Sequence, residues 1–113
     1  MLSFQQLDVY KVAIEFLAFT HRLLPRIPRG HADLIDQLRR SEQSMPQNIA
    51  EGAGRVSRPD KARHYAIARG SAMESAAHLD VMRAMELIDA DPHGEGVVML
   101  ERIVAMLTRM VER

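Results

Sequence analysis

Proline and glycine cut this chain in three places: PRIPRGH at 25–31, GRVSRP at 54–59 and DADPHGEG at 89–96. Between the cuts, apolar residues recur at spacings of three and four, the period of a helix. Four helical segments on short links favour antiparallel neighbours, and so an up-and-down antiparallel four-helix bundle. Composition agrees. Aromatic residues make up 4% of the chain and threonine is nearly absent, which disfavours sheets. The expected fold class is all-α, in one domain over residues 1–113.

Helix 1 is expected from Ser3, an N-cap with Gln6 three residues on, to about Leu24. It carries two apolar stripes. One is Leu7, Tyr10, Ile14, Leu17, His21 and Leu24; the other is Val9, Val12, Phe16, Phe19 and Leu23, on nearly the opposite side. Helix 3, expected over Arg58–Asp89 with Ser57 as N-cap, is also two-faced. Tyr65, Ala68, Ala72, Leu79 and Met82 lie on one side, with Ile67, Ala77, Val81, Met85 and Ile88 on another. A bundle buries one face of each helix, so a second apolar face means either a wide core stripe or a surface for self-association. Self-association accounts better for both helices. Gly70, Ser71, Ala72, Ala76 and Ala77 are small enough to let another helix come close. Helix 4, about Gly96–Glu112, is conventionally amphipathic, with Leu100, Ile103, Val104, Leu107, Met110 and Val111 on one face.

Helix 2 contains Pro46, which removes a backbone donor and crowds the carbonyl of Glu42. The chain could stop there and restart on Ser44, with Gln47 closing a capping box. Against that, Leu34, Leu38, Met45, Ile49, Gly52/Ala53 and Val56 keep one helical phase across the proline, so one proline-kinked helix is the more economical account. Beside this stripe runs a polar row, Ser41, Ser44, Asn48, Glu51 and Arg55. Ser41 and Arg55 fit a partly solvated face equally well. Asn48 and Glu51, framed by Pro46 and Gly52, are candidates for an inter-helix network with Ser71 and Glu74.

The segment SMPQNIAEGAGR, followed by AIARGSAMESAAHL, resembles the four-helix-bundle family of proteins encoded in 23S rRNA intervening sequences. Ser44, Pro46, Asn48, Ile49, Ala50, Glu51, Gly52, Gly54 and Arg55 match its first motif, and Ala68, Gly70, Ser71 and Glu74 its second. The opening FQQLDVYKVA fits as well, so the resemblance spans nearly the whole chain. It departs at Ala53, where a bulkier residue is commoner, and at Ser75, where leucine is. The resemblance implies a homopentamer, an architecture shared with a related accessory protein of diversity-generating retroelements. It also implies a poorly defined biochemical role, with nucleic-acid binding suspected.

Several chemistries are disfavoured. With no cysteine there is no disulfide frame and no thiolate metal site, and the N-terminus lacks the pattern of a signal peptide. A cytoplasmic protein with no membrane span is expected. Glu74 and His78 stand four apart, whereas bundle di-iron sites use Glu-x-x-His pairs on two helices. DADPHG opens like an EF-hand loop but meets Leu100 where a glutamate must stand, and it reads as a turn. No metal, cofactor or small-molecule substrate is expected, and the chain reads as non-enzymatic.

Charge supplies the one ligand candidate. Residues 1–69 hold 11 basic against 7 acidic side chains, and residues 70–113 hold 4 against 8. Arg55, Arg58, Lys61 and Arg63 gather around the link between helices 2 and 3, while Asp89, Asp91 and Glu95 fall at the opposite end beside Arg26 and Arg29. The basic group reads either as a solvated turn or as a patch for RNA or DNA phosphates. It has no interleaved aromatics for base stacking. The main reading is a non-enzymatic oligomeric scaffold or interaction module, and the alternative is a nucleic-acid-binding accessory protein.

Overall fold

The computed structural model describes residues 1–113, and every regular element in it is helical. A short 3-10 turn (Ser3–Gln6) leads into α1 (Asp8–Leu23), and a second one (Leu24–Arg26) leaves it; α2 (Ala32–Gly54), α3 (Arg58–Ala84) and α4 (Ala90–Glu112) follow. Each helix packs on the next and α4 closes back on α1, giving an up-and-down four-helix bundle of 45 × 26 × 22 Å. No helix is long and apolar enough to cross a membrane.

Phase decides which residues are buried. On α1 the stripe Val9, Val12, Phe16, Phe19 and Leu23 is buried; of the other stripe Leu24 is buried as well and Leu7, Tyr10 and Leu17 pack against the core, while Ile14 is 41% exposed and His21 lies in solvent. On α3 the stripe Tyr65, Ala68, Ala72, Leu79 and Met82 is buried, and Ile67, Val81 and Met85 are left outside. Ile88, beyond the end of that helix, turns back into the core. Leu100, Ile103 and Leu107 complete the interior from α4.

Helix α2 runs unbroken through Pro46, which is itself buried, and Ser44 does not start a new helix. A continuous row of core contacts on both sides outweighs the one lost backbone bond. Its last expected stripe member, Val56, lies outside the helix and is almost fully exposed.

Three boundaries differ from the sequence expectation. The first turn is closed by the Gln5 side chain accepting from the Leu2 amide at 2.7 Å, not by Ser3 and Gln6. Helix α3 stops at Ala84 and not at Asp89: Glu86 takes a left-handed φ of 60°, and the Leu87 amide reaches back to the Met82 carbonyl at 2.9 Å. This is a helix stop of the kind glycine usually makes, and a glutamate makes it here. Helix α4 begins at Ala90, so DPHGEG is helix and not a turn. Pro92 sits in the first turn, where its missing N–H costs nothing, and Gly96 is buried inside the helix. A Cβ at Gly96 would lie 2.8 Å from Leu79 Cδ1 and 3.1 Å from Phe19 Cε2, so glycine lets α4 close against both α1 and α3.

Candidate functional site

The richest polar structure in the molecule lies between α2 and α3. The polar row of α2 and the α3 residues Ser75, Ser71 and His64 meet in antiparallel register. Ser41 Oγ lies 2.9 Å from Ser75 Oγ, and Ser71 Oγ donates to Ser44 Oγ at 2.8 Å. Asn48 Nδ2 donates to the Ser44 carbonyl at 2.9 Å and to Ser44 Oγ at 3.1 Å, while Asn48 Oδ1 is 3.2 Å from His64 Nδ1. Arg63 Nη2 is 3.2 Å from His64 Nε2. A guanidinium only donates, so Nε2 accepts and Nδ1 carries the proton toward Asn48. The arginine thereby sets the tautomer of His64.

Below this seam the backbones themselves come close. A Cβ on Gly52 would fall 2.6 Å from the Tyr65 ring and 3.2 Å from His64 Cβ. Burial pushes the Tyr65 hydroxyl above its ordinary range. Gly70 differs: a side chain there would meet nothing within 4 Å, so its smallness serves no contact inside the chain.

The expected network is only partly assembled. Asn48 and Ser71 take part, but Glu51 is exposed and meets Arg55 at 3.4 Å on its own helix, and Glu74 points outward without an ion-pair partner. Both carboxylates stay hydrated, which spares the cost of burying charge. Ser41 is 3% exposed and belongs to the seam, and Ser75, where the sequence departs from the pattern it resembles, supplies its partner hydroxyl.

The basic group around the α2–α3 link is also partly engaged. Lys61 Nζ donates to the Ala53 carbonyl at 3.0 Å and to the Gly52 carbonyl at 3.4 Å, capping the carboxyl end of α2. Arg55 is held by Glu51 and Arg63 by His64, which leaves Arg58 exposed with no ion-pair partner. At the far end of the bundle Arg22 and Arg26 share a groove with Asp91 and Glu95.

A family model described as 23S rRNA-intervening sequence protein matches residues 5–109. The chain belongs to that family. No curated protein matches it. The match takes in the whole α2–α3 seam, and of the two motif segments Ser44, Asn48, Gly52 and Ser71 lie in it.

His64 in the seam escaped the sequence reading, and so did a second pair of buried polar residues. Thr20 on α1 is fully buried and Glu42 on α2 is 5% exposed, with Thr20 Oγ1 2.6 Å from Glu42 Oε2. Their signal was positional: Thr20 falls in phase with Phe16 and Leu23, and Glu42 fills the gap between Leu38 and Met45. Burial raises the Glu42 carboxyl from 4.5 to about 7, against weaker opposing effects of the Thr20 hydrogen bond and the Arg39 charge. No three His, Asp or Glu side chains converge as a metal ion would require. His78, one turn after Glu74, keeps a buried Nε2 without a hydrogen bond.

Proposed function

We propose that this chain is a non-enzymatic, oligomeric scaffold or interaction module. The observation that carries this reading is the outer face of α3. Ile67 and Val81 are each 42% exposed and Met85 48%, with exposed Ala77 between them and the open Gly70 alongside. A helix face that is apolar apart from Glu74, contains a small residue no neighbour uses, and runs for several turns suits close packing by a second copy. Ile14 on α1 adds one more exposed apolar side chain on another helix. The resemblance, including that to retroelement accessory proteins, points to five subunits.

Light scattering after size-exclusion chromatography tests this. The molar mass is expected to be several times the 12.8 kDa of one chain. Ile67→Glu combined with Val81→Glu should reduce it to one chain while keeping the helical circular dichroism. A wild-type monomer at micromolar concentration would sink the reading.

The nucleic-acid alternative rests on exposed Arg58 with Arg55 and Arg63 beside it. Salt-titrated RNA and DNA binding, compared with an Arg55/Arg58/Lys61/Arg63 charge-reversed variant, addresses it. Salt-insensitive or absent wild-type binding rules it out.

A further inference from the structure

The proton inventory at Thr20 and Glu42 does not close when Glu42 is ionised. Thr20 Oγ1 lies 3.1 Å from the Leu17 carbonyl and 2.6 Å from Glu42 Oε2, and it owns one proton. Two acceptors then compete for it. With Glu42 protonated, its carboxyl donates to Thr20 Oγ1 and Thr20 donates to Leu17, so both bonds are made at once.

The surroundings favour the neutral form. From α1 the facing group is the uncharged Thr20 hydroxyl, and the next titratable residue on that helix, His21, is exposed. On α2 the charge acting on Glu42 is Arg39, one turn earlier, which favours the ionised form but is outweighed by burial. From α3, Ser75 bonds to Ser41 and not to Glu42, and His78 makes no hydrogen bond through Nε2. Pro46, four residues on, gives no N–H to the Glu42 carbonyl, so α2 is one rung short at this point. No other side-chain hydrogen bond joins α1 to α2.

We propose that Glu42 is a proton-operated latch between α1 and α2. Neutral, it closes both hydrogen bonds at Thr20 and holds α1 down; on losing its proton to water it forfeits one of them, leaves a charge in the core and loosens α1. The folded carboxyl titrates near 7, above its ordinary 4.5. A raised carboxyl stabilises the closed form fully at acid pH and gives that stability up as pH rises through about 7.

Hydrogen exchange on the intact protein reads the latch directly. Corrected for intrinsic rates, protection of α1 amides should fall about tenfold between about pH 6 and about pH 8 by linkage, with α3 amides as the internal reference. Glu42→Gln, which keeps the shape and cannot ionise, should remove that fall. Equal pH dependence in wild type and Glu42→Gln, or equal loss in α1 and α3, overturns the proposal. Should Glu42→Gln not fold, the carboxyl carbon resonance of Glu42 in the wild type decides. A titration midpoint near 7 that coincides with the α1 change supports the latch, and a midpoint in the ordinary carboxylate range overturns it.

Discussion

Toward α3, helix α2 presents Ser41, Ser44, Asn48 and Gly52, all small or short; toward α1 it presents the single acid Glu42, opposite a helix whose buried side is Val9, Val12, Phe16, Phe19 and Leu23. The first seam fixes register. Each hydroxyl and amide has one partner across the seam, so a slip of α3 along α2 would break several bonds together. The second seam holds by bulk, and apolar bulk tolerates small shifts that a hydrogen-bond ladder does not. One helix is thus indexed on one side and merely anchored on the other.

The largest expected effect attacks the anchor. Phe16→Ala removes a fully buried ring and should cost about 3–5 kcal/mol in urea unfolding, with α1 amides losing protection first. A cost spread evenly over all four helices would erase the distinction between the seams. Next in size, Gly52→Val drives a branched side chain into the Tyr65 ring and should cost about 1–3 kcal/mol. Little loss there would mean that the α2–α3 approach is less tight than its geometry.

Smaller effects sharpen the indexing. In a double-mutant cycle, Ser41→Ala and Ser75→Ala should each cost about 1 kcal/mol, with a measurable coupling between them. Additive losses would show that the two hydroxyls act through their own helix carbonyls. Smallest is Lys61→Ala, which frees two carbonyls at the end of α2 and should cost about 0.3–1 kcal/mol, less at high salt.

Much of this architecture was legible in the sequence because phase survives where punctuation misleads. The stripe across Pro46 gave one helix correctly. The boundaries of α3 and α4 were misplaced because Glu86 makes a stop that glycine normally signals, and because Pro92 and Gly96 signal a loop yet serve a first turn and a close packing. In the seam, Asn48 and Ser71 were legible from spacing alone. Glu51 and Glu74 were not excluded, since a helical wheel places a side chain on a flank but does not say whether it turns inward or out. The Thr20–Glu42 pair needs the α1–α2 register, which no single helix carries.

Gly96 has a consequence for how this protein can change over time. Leu79 of α3 and Phe19 of α1 both press on the space where its side chain would be. A larger residue at 96 forces one of those two to shrink, so accepted substitutions at this position should travel in pairs with 79 or 19. Three helices are thereby bound to drift together or not at all.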